Sequence, residues 1–296
     1  MPKSGFVAIV GRPNVGKSTL LNRLIGEKVA IVSPVPQTTR NQIRGILNRS
    51  EGQVIFVDTP GIHQPKHRLN ERMMKQVHAA FDGLDLVLFM TDAASSRNEE
   101  EFFAFDLVRK KGIPSFLLLN KIDLIRKERL LPLIQTYAGR ADWKEIIPVS
   151  AQTGDGVDLL IHSIFAVLKE GPPFFPPDQY TDQPERDLVV EFIREKIMLN
   201  TRQEIPHSVA VIIDRYEETP ALVRIYASIL VERESQKGIV IGQKGSMLKR
   251  IGSEARRDIE RLLNTKIYLE LFVKVRVHWR DDEAILDEIK GNRRES

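Results

Sequence analysis

The residues whose types and spacing indicate chemistry most directly lie near the start of the chain, in the pattern G-x-x-x-x-G-K-[ST]. An apolar run over residues 6–10 precedes them, and apolar residues at helical spacing follow, with Gly26 as a helix stop. Such a strand, loop and helix form an anion site, because backbone N–H groups and the positive end of the helix dipole converge there. The pattern predicts a bound nucleoside triphosphate, with Lys17 on its β- and γ-phosphates and Ser18 on Mg²⁺. The predicted nucleotide-binding residues here are Gly11, Arg12, Pro13, Asn14, Val15, Gly16, Lys17, Ser18 and Thr19.

The elements that must position this loop alternate between strand and helix patterns. Residues 42–48 and 54–57 read as a hairpin, and the apolar runs 84–90, 113–119 and 145–149 read as buried strands. Alternation of this kind predicts an α/β fold with a doubly wound, mostly parallel sheet. Ligands bind such sheets at the carboxyl ends of the strands, which is where the remaining motifs fall.

The first of these motifs is Asp58, Thr59, Pro60 and Gly61, directly after the second hairpin strand. A carboxylate at a strand end can hold Mg²⁺, and a following glycine N–H can approach a γ-phosphate. On its own the tetrapeptide is also a common turn, so its meaning depends on the loop at Gly11.

The second motif predicts the base. Asn120, Lys121 and Asp123 follow the strand over 113–119, and Ser150 and Ala151 follow the next strand. A carboxylate at Asp123 can accept hydrogen bonds from both N1–H and the N2 amine of guanine, an arrangement that adenine cannot satisfy. The predicted nucleotide is therefore GTP or GDP.

These motifs in this order resemble the translation-factor-related class of GTPases. The resemblance implies that Asp123 reads the base, Asn120 braces the pocket, Lys121 lies along the purine, and the Ser150-Ala151 backbone meets the guanine oxygen. It makes Thr39 the switch residue on Mg²⁺ and γ-phosphate, with Thr38 as the alternative. The implied catalytic residues are Lys17, Thr39 and Gly61, and the implied metal ligands are Ser18, Thr39 and Asp58.

One position departs from the pattern of many such GTPases. A water-orienting glutamine often follows the D-x-x-G motif, whereas this chain has Ile62, which cannot hydrogen-bond to water. We therefore expect intrinsic GTP hydrolysis to be slow, or to use another group in place of the water-orienting glutamine. His63 is one candidate, although a histidine in a loop is more often simply solvated. Asn14 matches a P-loop asparagine that ligates K⁺ in similar GTPases, which makes K⁺ a candidate cofactor beside Mg²⁺.

The chain changes character at a proline-rich stretch. Residues 171–184 form a predicted semi-rigid linker between a GTPase domain over 1–170 and a second domain over 185–296. The second domain has the order helix, two strands, a helical segment around G-x-x-G, helix and strand. This order resembles a type II KH domain, whose G-x-x-G loop clamps the backbone of about four single-stranded nucleotides.

The distribution of charged residues favours the interpretation of the G-x-x-G as an RNA-binding loop over that of a turn without a binding role. Between residues 237 and 257 six basic residues stand against the single acid Glu254, and four of them fall opposite the apolar face of the predicted helix. The predicted RNA-binding residues are Lys237, Ile241, Gly242, Gln243, Lys244, Gly245, Lys249 and Arg250.

A GTPase domain followed by a KH domain resembles a family of bacterial GTPases that bind the 3′ region of small-subunit ribosomal RNA during subunit maturation. The implied partners are GTP and GDP, that RNA and the pre-30S particle; action on another structured RNA, such as one related to tRNA, is the alternative.

The 296 residues contain no cysteine, which excludes disulfides, thiol nucleophiles and cysteine-ligated zinc, and the net charge of +4 is a weak signal for polyanions. We expect a cytoplasmic monomer without an export signal, and the sequence leaves a peripheral membrane contact open.

Overall fold

The structure is a computed structural model of the chain, and it describes residues 1–35, 38–62, 68–95, 99–202, 204–219 and 222–289. Two compact units are present. The first ends at Asp182, and the second consists mainly of Gln183–Ser296. Among the described helices, none is long and apolar enough to cross a membrane.

The first unit is built on a mixed sheet. Its described strands are β1 (Lys3–Val10), β2 (Ile43–Arg49), β3 (Gly52–Asp58), β4 (Leu86–Asp92), β5 (Ser115–Asn120) and β6 (Glu145–Pro148). In the described part of the chain these six strands have the order β2-β3-β1-β4-β5-β6. Only the β2–β3 hairpin is antiparallel among these pairs of described strands. The carboxyl ends of the five parallel strands therefore meet at one edge of the sheet.

Helices cover both faces of this sheet. They are α1 (Lys17–Ile25), α2 (Arg68–Ala79), α3 (Glu99–Lys111), α4 (Leu130–Ala138) and α5 (Val157–Val167). Successive β1 side chains enter opposite cores: Val7 and Ile9 join the cluster that includes α1 and α5, and Ala8 and Val10 join the cluster with α2, α3 and α4. A strand buried on both faces needs this continuous apolar sequence. The predicted doubly wound α/β fold is confirmed.

The proline-rich stretch lies against the first unit over residues 171–182, which we call the edge segment. It runs antiparallel beside β2, the outer strand of the sheet. The Ile46 N–H donates to the Tyr180 carbonyl at 2.9 Å, and the Thr181 hydroxyl donates to the Arg44 carbonyl at 2.7 Å. The edge segment, which makes up most of the predicted semi-rigid linker, is thus hydrogen-bonded to the sheet.

A buried glutamine, Gln53 on β3, joins the edge segment to the hairpin. Its Oε1 accepts the N–H groups of Phe174 and Phe175 at 2.8 and 3.0 Å. Its Nε2 donates to the Phe175 carbonyl at 2.9 Å and to Asn48 Oδ1 at 2.7 Å. One side chain that is 1% exposed therefore satisfies four polar partners.

Replacing Gln53 with alanine should lower the free energy of unfolding by about 2–4 kcal/mol, because several polar groups lose their partner at once. Urea unfolding of the two proteins measures the difference. Gln179→Ala is the matched control, since that half-buried side chain makes a single described hydrogen bond, to the Thr181 carbonyl, and should cost about 1 kcal/mol. Equal losses in the two variants would contradict the central role of Gln53.

The second unit is an α+β domain. Its elements are α6 (Glu185–Asn200), α7 (Ile205–Ser208), β7 (Ala210–Thr219), β8 (Leu222–Val231), α8 (Glu234–Ile241), α9 (Ser246–Leu262), β9 (Ile267–Val275) and α10 (Glu283–Ile289). The described strands form a sheet of order β7-β8-β9, with β7 antiparallel and β9 parallel to β8. Helix α9 packs on α6 and β9 through Ile251, Ala255 and Ile259, which are fully buried. Its polar face is left to solvent, as the sequence predicts.

Candidate functional site

The first candidate site is the loop between β1 and α1, whose glycines are required by close packing. A Cβ on Gly11 would lie 2.3 Å from the Met90 carbonyl oxygen, and one on Gly16 would lie 2.3 Å from Asn120 Nδ2. Gly16 also has φ = 104°, which L-residues rarely adopt. The loop is thus held close against the neighbouring strand ends, with its backbone at the carboxyl edge of the sheet.

Lys17 at the start of α1 places a cation inside this loop. Its Nζ donates to the carbonyls of Gly11 and Arg12 at 3.2 and 3.1 Å, and the side chain is buried. Burial lowers the pKa of Lys17 to about 8, although the nearby Asp58 carboxylate opposes the shift. A buried ammonium in a loop of backbone N–H groups is a strong site for phosphate.

Three oxygen-bearing side chains converge beside it. Ser18 Oγ donates to Asp58 Oδ2 at 2.7 Å, and Thr39 Oγ1 lies 2.9 Å from Ser18 Oγ and 3.3 Å from Asp58 Oδ2. Asp58 Oδ1 is buried and has no hydrogen-bond partner among the described residues. Burial raises the pKa of Asp58 above its usual value, against the charge of Lys17.

This set fits Mg²⁺. Hard oxygen ligands and one orphaned carboxylate oxygen suit the ion, which usually takes few protein ligands and completes its shell with phosphate and water. Ser18, Thr39 and Asp58 would hold the ion, and it would neutralise charge on the phosphates.

Gly61 lies against the P-loop, since a Cβ there would come within 2.8–3.0 Å of Pro13. Thr59 is fully buried and donates its hydroxyl to the Ile9 carbonyl at 3.1 Å. Ile62 is also fully buried, in the apolar cluster with α2, and its N–H donates to the Gly11 carbonyl at 3.2 Å. Position 62 therefore serves packing, and the alternative candidate, His63, lies outside the described residues.

The predicted base-reading residues are brought together at the ends of β5 and β6. Asn120 joins both loops: its Nδ2 donates to the Val15 carbonyl at 2.7 Å, and its Oδ1 accepts the Ala151 N–H at 2.9 Å. Ser150 Oγ donates to Asp123 Oδ1 at 2.6 Å and so fixes the carboxylate. The pocket that the sequence predicts for guanine is therefore assembled across three loops.

One contributor to this pocket is not predicted by the sequence motifs. Asp92, at the end of β4, accepts a hydrogen bond from Lys121 Nζ at 2.7 Å, and the same ammonium donates to the Asn14 carbonyl at 2.9 Å. The available signal is the position of Asp92 at the carboxyl end of a buried strand. Lys121 itself has φ = 65°, so its backbone is in the left-handed region.

The second candidate site is the turn between α8 and α9. Gly242 and Gly245 have φ of 72° and 79°, and Lys244 between them has φ = 51°. Gly245 caps the N-terminus of α9, so the first N–H groups of a 17-residue helix lie next to the exposed turn. This geometry can accept a phosphate backbone.

The basic residues near this turn fall into two groups. Arg250 Nε pairs with Glu254 at 3.0 Å, and Arg256 pairs with Glu260 at 3.1 Å. Lys244 and Lys249 are exposed, and no described side chain pairs with either. Lys244 and Lys249 beside the G-x-x-G therefore carry positive charge that no described carboxylate pairs with, and so does the exposed Arg257 further along α9, whose Nε donates to the Ser253 carbonyl.

Comparison with known proteins assigns a family to each of the two parts of the chain. A family model described as 50S ribosome-binding GTPase matches residues 6–121, and a KH-domain model matches residues 204–280. GTPase Era of Geobacter metallireducens is 51% identical over 289 residues, covering 97% of each chain. GTPase Era of Syntrophus aciditrophicus is 51% identical over 294 residues, covering 99% of this chain and 96% of the relative.

Solved structures are similar over the same length. A variant of Era from Aquifex aeolicus bound to GDP·AlF₄⁻ superposes with a TM-score of 0.93 at 40% identity, covering 97% of this chain and 98% of that one. A structure of Era in complex with MgGDPNP and nucleotides 1506–1542 of 16S ribosomal RNA superposes with a TM-score of 0.94 at 41% identity, covering 98% and 99%.

Fold, site and similarity define a P-loop GTPase with a C-terminal KH domain. The predicted GTPase activity is confirmed at this level. Within this class, the chain belongs to the GTPase Era family.

Proposed function

We propose that this protein binds the 3′ region of small-subunit ribosomal RNA through its KH domain and uses GTP binding and hydrolysis to control that attachment during assembly of the small subunit. The observation that carries the proposal is the exposed G-x-x-G turn at the head of the basic helix α9, in the same chain as an assembled GTP site. A similar Era structure holds nucleotides 1506–1542 of 16S ribosomal RNA, which supports this RNA over the tRNA-related alternative.

In the nucleotide site, we propose that the P-loop residues and Lys17 hold the phosphates, that Ser18, Thr39 and Asp58 hold Mg²⁺, and that Asp123 reads guanine. Thr39 and Gly61 would respond to the γ-phosphate. Burial of Ile62 supports slow intrinsic hydrolysis, because no hydrogen-bonding group stands at the position that orients water in many GTPases. Cytoplasmic location, a monomeric state and a peripheral membrane contact remain predictions from the sequence.

Filter binding tests the RNA assignment. The probes are an RNA of the 1506–1542 sequence and a tRNA, each titrated with protein in GDP and in the non-hydrolysable analogue GDPNP. We expect tighter binding of the ribosomal fragment and a difference between the two nucleotide states. Equal affinity for both RNAs would contradict the assignment, and identical affinities with GDP and GDPNP would contradict control by nucleotide.

Charge neutralisation should distinguish the two groups of basic residues. Lys249→Gln should weaken binding of every RNA and reduce the slope of log affinity against log salt by about 1, because a phosphate contact is lost. Arg250→Gln is the matched control: its guanidinium already pairs with Glu254, so we expect a smaller change. The test is to measure the slope of log affinity against log salt for both variants between low and moderate salt. A larger change in Arg250→Gln than in Lys249→Gln would contradict the division into paired and unpaired basic residues.

A monovalent cation is proposed to supply extra positive charge in the transition state, because Ile62 cannot orient the attacking water. Asn14 is exposed on the P-loop with φ = 62°, a position from which its side chain is accessible to an ion beside the phosphates. GTP turnover should be about tenfold faster in K⁺ than in Na⁺, equivalent to about 1.4 kcal/mol of transition-state stabilisation. Asn14→Ala should remove the difference. Phosphate release measured in the two salts is the test, and equal wild-type rates would refute the K⁺ proposal.

A further inference from the structure

The side chain of Arg12 leaves the P-loop and contacts helix α3. Its Nε lies 3.6 Å from Glu101 Oε2, and its Nη2 donates to Ser95 Oγ. The side chains of Arg12 and Glu101 are 13% and 5% exposed. Nε is buried and has no hydrogen-bond partner among the described residues, so the Glu101 carboxylate compensates its charge as an ion pair.

Glu101 is itself held in place by two other elements. Thr91 Oγ1 on β4 donates to Glu101 Oε2 at 2.8 Å, and the Tyr137 hydroxyl on α4 donates to Glu101 Oε1 at 2.5 Å. Both of these donors are buried. A carboxylate fixed from two sides has little freedom, so it can define the position of the guanidinium that faces it.

The main chain of Arg12 belongs to the part of the P-loop that would face the phosphates. Its carbonyl accepts a hydrogen bond from Lys17 Nζ at 3.1 Å, in the part of the loop that must face the phosphates. Two residues later, the Asn14 carbonyl is held by Lys121 Nζ, which is anchored on Asp92. The first half of the P-loop is therefore tied to the body of the domain at two points.

We propose that Arg12 and Glu101 form a positioning pair that holds the P-loop backbone in its phosphate-binding conformation. Because the pair fixes the loop and does not contact the γ-phosphate, it should raise the affinities for GDP and GTP equally. A different role would have a different signature: an Arg12 guanidinium that contacted the γ-phosphate directly would support GTP and leave GDP unaffected.

Four proteins test the proposal: Arg12→Gln, Glu101→Gln, the double variant and wild type. Glutamine at position 101 keeps the shape and can still hydrogen-bond to Thr91 and Tyr137, while the charge facing Arg12 is removed. Affinities for GDP and GDPNP are measured by calorimetry, melting temperatures without nucleotide by calorimetric scanning, and kcat and KM by phosphate release. Ser163→Ala is the control for stability alone, because it removes a hydrogen bond to Glu145 elsewhere in the domain.

Each single variant should lose about tenfold in affinity for both nucleotides, within the range of coupling between contacting residues. The double variant should lose no more than the weaker single variant. KM should rise by the same factor while kcat changes less than about twofold, as for loss of uniform binding. Ser163→Ala should lower the melting temperature and leave nucleotide affinity unchanged.

Three results would overturn the proposal. A lowered melting temperature with unchanged affinity would make the pair merely structural. Loss of GDPNP affinity with normal GDP affinity would assign Arg12 to the γ-phosphate. Additive losses in the double variant would show that the two side chains act independently. If the double variant does not fold, the comparison of GDP with GDPNP in the single variants still decides between positioning and direct contact.

Discussion

Replacing Asp123 with asparagine should change the base preference from guanine to xanthine. In the structure Ser150 Oγ donates to Asp123 Oδ1 at 2.6 Å. An asparagine can keep that bond through its own Oδ1, which directs its NH₂ group to the place of the second carboxylate oxygen. That donor would then face the donors of guanine, whereas the 2-oxo group of xanthine could accept from it. Affinity for GDP should fall by about 10⁴-fold, since a site built to hydrogen-bond rejects a mismatched partner strongly.

Calorimetry with GDP and with xanthosine diphosphate measures both halves of this expectation. Asp142→Asn is the matched control, because it makes the same chemical change at an exposed aspartate that lies before the amino end of β6 and not at the carboxyl ends of the strands. It should alter neither affinity. Normal GDP affinity in Asp123→Asn would remove Asp123 from the base pocket and leave the guanine assignment without its main support.

Replacing Gly245 with aspartate should abolish RNA binding by the KH domain, with a loss of about 10²–10³-fold, while basal GTP turnover is retained. A carboxylate about 4 Å from a phosphate costs up to about 4 kcal/mol at a protein surface, and the new side chain also prevents close approach of the backbone. The fold should tolerate the change, because a Cβ at Gly245 meets no described atom within 4 Å. Aspartate also accepts a positive φ better than most residues.

Gly245→Ala separates charge from backbone conformation, since it has a Cβ at the same φ of 79° but no charge. It should lose much less RNA affinity than the aspartate variant. Gly242 is unsuitable for this purpose: a Cβ there would lie 2.6 Å from Met247 Cβ and would disturb the junction of α8 and α9. Filter binding run beside phosphate release tests the pair, and wild-type RNA affinity in Gly245→Asp would require the KH site to be withdrawn.

The fold class and the family can be predicted from the sequence because their signals are local. Each motif occupies a few consecutive residues at a strand end, and a parallel sheet brings its carboxyl ends to one edge. Motif positions alone therefore bring Gly16, Asn120 and Ser150 to a common edge. Helices α2, α4 and α5 are not predicted from the sequence, because they contain no motif and the prediction relies on the motifs at the strand ends.

Contacts between distant parts of the chain cannot be predicted in this way. Gln53 and Phe175 are 122 residues apart, and Arg12 and Glu101 are far apart as well, so no periodicity or spacing links them. The sequence pattern identifies Arg12 only as a member of the P-loop, whereas its side chain contacts α3. The charge count over residues 237–257 overestimates the basic surface of α9 for a related reason, since Glu260 lies outside that stretch but pairs with Arg256.

The edge segment determines where the chain can be truncated if the first domain is to be produced alone. A fragment that ends at residue 170, the boundary suggested by composition, would leave the outer side of β2 bare and would remove three of the four hydrogen-bond partners of the buried Gln53. An unprotected edge strand pairs readily with another copy of itself, so such a fragment would be prone to self-association. A fragment ending at Asp182 would keep the proline-rich stretch as a built-in shield for the sheet. We therefore expect the residues that connect the two domains also to keep the first domain monodisperse when it is made alone.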